Sequence, residues 1–557
     1  MMHSREASAN VICGARDSIL GNVRFFYQSP QCIAHQISVA LFVLLTQMLL
    51  INHAMAAGVA GFGGDGLGRY TQAYGGNSPG IGGGMGSCVP SYQQNSLAAT
   101  QDLLSGNVSP PALSGYLQPS MALSQVYSDN INLAPNGFAK SDNATILTPK
   151  LSGCTTGSRV FANFDYTAQA IKYWENPPDN KIYSQFNGRV LGELYPGHLY
   201  IDANTQYGQA VINPLQTYST NNVFSTTANR TNIWDSYVSP YWQQSLGSLG
   251  LATLRYTYGH VVYSVPSLHN STSEGASFNL RNPTLNTDWS WVANWSSTQV
   301  SYAGLSTLQY FDNASLELGY QLLKSFRVLT KFGIEDNYLA NGVIKRYASP
   351  YWSAGFKWEQ QYASLKVMVG HRFFGRSYSV DAAYTPQSYK LSASYSEIPT
   401  VTSLMGMNGT GNSFVAPAIS TIANYGQLQN TQVYLSKRAQ VEFTYPMSRS
   451  AINLELYDER QIYQSGPISE YRTTGGNIGL QWAVTQRSQV HADFDRMRFS
   501  SSAQPADYLN ITNIGWTYYL LPTATFSFDV SRQNRTSNVP VSGYVANSVS
   551  AVINATF

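Results

Sequence analysis

A two-residue alternation of apolar and polar side chains runs, segment after segment, from about Leu117 to Phe557. The last segment displays it. Val545, Val549, Ala551, Ile553, Ala555 and Phe557 take every second position, interrupted only by Asn547, and the residues between them are small or polar. Val160, Ala162, Phe164, Tyr166, Ala168 and Ala170 alternate with Asn163, Asp165, Thr167 and Gln169. Ala314, Leu316, Leu318, Tyr320 and Leu322 alternate with Ser315, Glu317, Gly319 and Gln321. Ala524, Phe526, Phe528 and Val530 alternate with Thr525, Ser527, Asp529 and Ser531. Successive side chains of a strand point to opposite faces, so each segment is a strand with one apolar and one polar face. Clusters of Asn, Gly, Pro, Ser and Asp separate the segments and supply the turns.

Soluble sandwiches also alternate, so two further features decide the class. Many segments reach ten residues or more, beyond the usual five or six and suited to a tilted membrane span. Aromatics gather at segment ends, as at Tyr173-Trp174, Tyr183, Tyr195, Tyr351-Trp352 and Trp516 to Tyr519, like interfacial girdles. Charged residues are 11% of the chain and aromatics 13%, with 39 Tyr; soluble domains carry roughly 25% charged residues. A mean hydropathy of −0.20 does not promise the ~20-residue apolar runs of helical membrane proteins. Lipid cannot hydrogen-bond an open sheet edge, so lipid-facing strands must close on themselves. The expected fold is all-β: a transmembrane antiparallel barrel of roughly 20 strands over 117–557, in the outer membrane of a Gram-negative bacterium. Phe557, a terminal aromatic closing an alternating strand, resembles the assembly signal of such barrels, read by the barrel assembly machinery.

The only long apolar run is Ile37 to Ile51, preceded by Arg24 and His35 and followed by Ala54-Met55-Ala56. This is the pattern of a secretory signal with an N-terminal extension, spanning 1–56, with Ala54 and Ala56 marking the cleavage site. Residues 57–116 read as a short, flexible, Gly/Ser-rich periplasmic segment. Within it, Gly61-Phe62-Gly63-Gly64-Asp65-Gly66 fits the dinucleotide fingerprint and Gly76-Asn77-Ser78-Pro79-Gly80 the nucleophile elbow. Both motifs need a strand before and a helix after, and neither has them, so chance in glycine-rich sequence explains them. The segment is also too short for the plug of a TonB-type transporter. Cys13 and Cys32 leave with the signal, and Cys88 and Cys154 are candidates for one disulfide in an oxidising compartment.

The polar faces name the candidate lumen: Asp165, Arg189, Glu193, Asp202, Arg255, Glu317, Arg327, Lys331, Arg438, Glu442, Asp493 and Asp529. Their signs are mixed. That suits a lattice of ion pairs between neighbouring strands, and a strongly ion-selective pore would favour one sign. Tyr and neutral polar residues between the charges suit a sugar chain. His491 and Asp493 share a face, but no segment carries a nucleophile with its base, so no catalytic residue is expected. No Cys/His spacing suggests a metal or haem, and no cofactor is expected. A net charge of +3 without a basic run argues against nucleic acid. The weakly patterned stretch from Pro399 to Asn430 is the best candidate for a long outer loop or a fold into the lumen.

Several stretches resemble one family. They are Leu117 to Leu133 (LQPSMALSQVYSDNINL), Ser141-Asp142, Thr148-Pro149, Val238 to Tyr241, Leu254 to Thr257, Tyr351 to Phe356, Arg372 to Gly375 with Tyr378-Ser379, Ser394 to Glu397, and Val433 to Arg438. In order and spacing they are similar to the outer-membrane β-barrel family associated with the PEP-CTERM/exosortase system. The likeness runs from about residue 115 onward; the glycine-rich region before residue 88 departs from it. That family brings no catalytic residues. The resemblance implies exopolysaccharide export or surface-polymer assembly, alongside a polysaccharide export apparatus, outer-membrane lipid and lipopolysaccharide. The residues alone leave a general or substrate-specific diffusion porin open, and more distantly a barrel enzyme or the sheath of a haem-bearing electron conduit.

Overall fold

The computed structural model describes residues 114–557 apart from 158, 220–223, 283–287, 307, 341–347, 405–427, 464–468 and 540–541. The expected signal, with Ala54 and Ala56, and Cys88 lie outside the described residues, as does all of the glycine-rich segment up to residue 113. Cys154 is disulfide-bonded.

The strands are β1 Ser114–Ser128, β2 Asp142–Thr156, β3 Val160–Tyr173, β4 Lys181–Tyr195, β5 Leu199–Val211, β6 Arg230–Ser245, β7 Leu251–Tyr263, β8 Ser271–Arg281, β9 Trp289–Tyr302, β10 Leu308–Leu323 and β11 Phe326–Ala340. They continue with β12 Ser349–Gln360, β13 Ala363–Arg372, β14 Gly375–Tyr384, β15 Lys390–Thr400, β16 Tyr434–Pro446, β17 Ser450–Tyr463, β18 Glu470–Thr485, β19 Ser488–Ser501, β20 Gln504–Leu521, β21 Ala524–Thr536 and β22 Tyr544–Thr556. Each pairs with its sequence neighbours, and β1 meets β22 in antiparallel register from Ser120↔Thr556 to Ser128↔Ser548. The Phe557 amide carries the seam one bond further, donating to the Pro119 carbonyl at 2.9 Å. The sheet is therefore a closed 22-stranded ring with no exposed edge, in keeping with the roughly twenty strands expected.

Connections differ at the two ends. At one end every connection is seven residues or shorter, with two-residue turns at 324–325, 361–362, 486–487 and 522–523; the other end has the longest connections, 129–141, 212–229 and 401–433, beside the short turns 373–374 and 502–503. In outer-membrane barrels the short turns are periplasmic and the long loops extracellular. One turn shows why a glycine is required. Gly250, between β6 and β7, has φ +113°, and a Cβ there would stand 1.8 Å from the Arg281 carbonyl oxygen.

The outward face carries the apolar half of the alternation. Leu117, Met121 and Leu123 on β1, Leu316 on β10, Phe528 on β21 and Ile553 on β22 are exposed. Aromatics ring the turn end: Tyr195, His198 and Trp242 stack at 5.4–6.3 Å between ring centres, Trp289 meets Tyr320 at 4.8 Å, and Trp516 meets Phe526 at 6.2 Å. The Trp516 indole N–H donates to Ser488 Oγ at 2.7 Å, so the ring keeps a polar partner at the interface. A closed wall with this much apolar surface needs a bilayer around it; the protein is an outer-membrane β-barrel. Four expected girdle residues are not in the girdle: Tyr183 packs on the inner apolar cluster, and Tyr519 takes the inward parity and donates to Gln489. Tyr173 is buried on the inner face, and the Tyr351 ring is likewise turned inward, while their neighbours Trp174 and Trp352 face out. Alternation decides this, because adjacent residues of a strand cannot both face lipid.

Candidate functional site

The twelve candidate lumen residues all occupy the inward parity of their strands, opposite the exposed apolar side chains. Most are tied into the wall. Lys150 reaches Asp165 at 3.2 Å, and Ser152 donates to the same carboxylate at 2.6 Å. Arg189 donates twice to Asp202, at 3.2 and 3.3 Å, and Arg255 approaches that carboxylate at 3.8 Å while stacked 4.2 Å over Tyr241. Lys366 meets Glu317 at 3.3 Å. Arg327 donates to Gln321 at 2.9 Å, and Lys331 lies 5.8 Å over the Tyr351 ring. Arg438 joins Glu459 at 3.0 Å, and Gln440 donates to both Glu442 and Glu455. Glu193 has a different task, accepting the Gly197 amide at 2.5 Å to close the β4–β5 turn.

His491 does not engage Asp493. It faces Asp529 across β20, with Nε2 3.3 Å from Oδ1. Gly515 makes the room, since a Cβ there would fall 1.9 Å from Asp529 Oδ1. The pair is close enough for an ion pair, yet neither group has a hydrogen bond aimed at it. These buried polar atoms need water or a shared proton to be satisfied, and among the described residues no nucleophile is hydrogen-bonded to the pair.

Toward the loop end the polarity of several strands inverts. On β20, Gly515 and Asn513 face in, and then Ile511 and Leu509, both almost fully buried, take the inward positions while Thr512, Asn510 and Tyr508 face out. On β19 the inward Asp493 and Asp495 give way to Met497 and buried Phe499, and the outward Phe494 gives way to Arg496 and Arg498. Tyr434, Tyr463, Tyr471 and Tyr544 extend this inward apolar surface to β16, β17, β18 and β22.

The loops cover it. Leu215, Tyr218 and Phe224 of the β5–β6 loop pack on that surface with Ile131 and Leu133 of the β1–β2 loop. Tyr218 stands edge-on to Phe499 with ring centres 5.9 Å apart. Arg535, on β21, pins the loop: its guanidinium donates to the Gln216 and Pro214 carbonyls and to Asp507 at 2.7 Å, with its side chain wholly buried. Tyr544 donates to the Tyr218 carbonyl at 2.7 Å, and Gln533 to Ser219 at 3.1 Å. A second apolar cluster joins Ile212, Val401, Leu404, Leu428 and Val433 to Val261, Val300 and Tyr302 of the far wall. Both ends of the expected inward loop, 401–404 and 428–433, thus turn inward; residues 405–427 lie outside the described residues. The β5–β6 loop runs from the β5–β6 wall to β18–β22 across the mouth. Sequence reading missed it, although its run of polar and small residues around Pro214 is interrupted by Leu215, Tyr218 and Phe224.

One arc is not lined this way. Between β10 and β15 a recess of about 280 Å³ is bordered by Glu317, Lys331, Tyr351, Lys366, Arg372 and Asp381. Arg372 grips Glu335 with Nε and Nη2 and donates Nη1 to the Glu397 carbonyl at 2.9 Å. Glu335, Lys366, Arg372 and Glu397 were not among the sequence candidates. The signal was available for the first three, because Lys366 and Arg372 alternate with Leu365, Val367 and Val369, and Glu335 follows Phe332 and Ile334.

No family model matches the chain, and no curated protein matches it. Solved structures similar to it include the siderophore receptor PirA from Pseudomonas aeruginosa, at 12% identity over 80% of this chain and 81% of that one, with a TM-score of 0.41. The FrpB iron transporter from Neisseria meningitidis is similar at 10% identity, over 82% of this chain and 84% of that one, with a TM-score of 0.37. OmpT with loop L8 deleted, an outer membrane protein of Vibrio cholerae, is similar at 8% identity, over 80% and 99%, with a TM-score of 0.30. The assignment of this chain to the outer-membrane β-barrels rests on its own closed ring, its apolar belt and its girdle.

Proposed function

We propose that this barrel serves the export or surface assembly of an exopolysaccharide, as a gated conduit and not as a standing diffusion pore. The observation that carries the reading is the mouth: described loop residues fold inward onto an apolar surface built by the strands themselves. A general porin needs open water along its axis. The polar arc between β10 and β15 supplies what a sugar chain uses, an aromatic face at Tyr351 and hydroxyls at Ser353, Ser377, Ser379 and Ser396 among paired charges. Pairing suits a neutral or weakly charged polymer, because no single sign dominates. The resemblance to the exosortase-associated barrels points the same way. The reading assigns no catalytic residue to the wall.

The test is surface polysaccharide in a strain lacking this gene, complemented in trans, together with single-channel recording of the purified barrel. Loss of polymer restored by the wild-type gene, with a channel silent until the β5–β6 loop is removed, supports a gated exporter. Unchanged polymer and a steady conductance blocked by small sugars support the diffusion porin instead.

A further inference from the structure

The inversion of polarity on β19–β21 leaves a basic patch on the outer wall. Arg496 and Arg498 on β19 and Arg532 on β21 face out and are exposed. Asn510, Thr512 and Tyr508 of β20 lie between them, with Arg496↔Asn510, Arg498↔Tyr508 and Arg532↔Thr512 in register. Among the described residues no carboxylate comes within ion-pairing distance of the three. Arg496 lies over the Tyr508 ring at 5.7 Å, and Arg532 donates to Asn547 Oδ1 at 3.2 Å. Asp129, which shares Asn547 with Arg532, is itself bound by the Asn547 amides at 2.6 and 2.7 Å. The adjoining outward arginines differ: Arg472 is held by Asp458 at 2.8 Å and Arg460 by Glu470 at 2.6 Å. Other outward charges toward the loop end are of both signs: Glu274 on β8, Asp312 on β10 and Asp336 on β11 are acidic, while Lys172 on β3 is stacked on Trp174 at 4.3 Å and Lys437 on β16 is paired with Glu397 at 3.0 Å.

Height identifies the occupant. From Tyr518 in the turn-end girdle to Asn510 is eight residues of β20, about 21 Å along the barrel axis at ~3.4 Å per residue and ~40° tilt. Tyr508, level with Arg498, lies near 26 Å on the same reckoning. The apolar band of such barrels is ~25 Å tall, so the guanidiniums of Arg496 and Arg498 sit where hydrocarbon ends and headgroups begin, with Arg532, level with Thr512, near ~16 Å on the same reckoning. Arg532, one step lower, can extend upward along its aliphatic stem. β19 and β21 are two strand spacings, about 10 Å, apart, a span that one phosphorylated disaccharide bridges.

We propose that Arg496, Arg498 and Arg532 form a binding site for the phosphorylated headgroup of an outer-leaflet glycolipid. Guanidinium forks match phosphate oxygens bidentately, and Asn510, Thr512 and Tyr508 offer hydrogen bonds to the sugar. The site lies on the lipid-facing wall and is independent of what crosses the lumen.

The test uses the full barrel in nanodiscs containing either bisphosphorylated lipid A or the same lipid stripped of phosphate, with bound lipid read by native mass spectrometry. Wild-type barrel is expected to retain the phosphorylated form about tenfold better, as charge-assisted bonds require. The triple variant Arg496→Gln, Arg498→Gln, Arg532→Gln should lose that preference, and Arg460→Gln with Arg472→Gln should keep it. Inorganic phosphate at millimolar concentration should not displace the lipid; displacement would mean a free-anion site and overturn the assignment. Equal retention of both lipids by the wild-type barrel, which needs no variant to fold, would also overturn it.

Discussion

Two arcs of one ring are built from the same alternating sequence and do different work. Along β17–β21 the strands run 13 to 18 residues, and β18 and β19 pair from Tyr471↔Ser501 to Thr485↔Ser488. Along β12–β15 they run 10 to 12 residues, and β14 pairs β15 only from Val380↔Tyr395 to Tyr384↔Leu391. The long arc rises past the lipid boundary, turns apolar inside, and gives the loops a surface to dock on. The short arc ends near that boundary and keeps charge inside to its rim. What separates a closed from a water-lined sector is therefore the point at which inward polarity changes.

The sharpest way to break this comparison is Arg535→Ala. Its buried guanidinium holds two loop carbonyls and Asp507, so truncation strands a buried carboxylate and frees the β5–β6 loop. Breaking a buried ion pair from one side costs ~3–5 kcal/mol. A lowered melting temperature in detergent and a conductance that was absent before are both expected. A variant as stable and as silent as the wild type would mean that the loop is not held by the long arc.

The second effect is smaller and belongs to the short arc. Where β14 and β15 stop pairing, Glu397 fills the gap. Its carboxylate accepts the Tyr378 amide at 3.2 Å and the Tyr395 hydroxyl at 2.7 Å, and meets Lys437 at 3.0 Å. Side-chain bonds here replace ladder bonds. Glu397→Ala should cost about 1–3 kcal/mol, the penalty of an orphaned buried amide, because partly exposed Lys437 can turn away. Hydrogen exchange should quicken at Tyr378 and its β14 neighbours and stay unchanged on β18 and β19. Uniform quickening round the ring would show that the seam is not a local weak point.

Much of this was legible in the chain, and the illegible part has a physical reason. Period two fixed each strand's faces wherever the inside was wet and the outside oily, so Asp165, Asp202, Glu317 and Arg438 could be placed inward from sequence. The same rule misleads above the lipid boundary. There Ile511 and Phe499 look lipid-facing and Arg496 looks lumenal, and all three are the reverse. From Asp493 to Phe499 and from Gly515 to Asp507 the register does not slip; the solvent on each side changes, and a strand carries no mark of where the bilayer stops. Glu397 was illegible for another reason: it sits on the outward parity of β15, and only the interrupted β14–β15 pairing brings it into the wall.

The smallest expected effect sharpens the comparison from the water-lined side. Lys366 and Glu317 pair at 3.3 Å, with roughly a third and a quarter of their side chains exposed to the lumen. Exposed pairs contribute only ~0–1 kcal/mol, because water solvates either charge when the other is gone. Lys366→Ala should therefore leave the melting temperature of the barrel within about 2 °C of the wild type, since small ΔΔG values move large proteins little. Its effect belongs to permeation. Glu317 would keep only its cross-strand neighbour Lys331 for compensation beside Asp381, and the β10–β15 arc would lose one positive charge. In a barrel opened by Arg535→Ala, adding Lys366→Ala should shift the reversal potential toward cation preference, measured under a salt gradient. The shift should shrink as ionic strength rises and the Debye length falls. If the double variant kept the selectivity of Arg535→Ala alone, ions would not be passing along the β10–β15 wall, and the water-lined arc would have to be sought elsewhere in the ring.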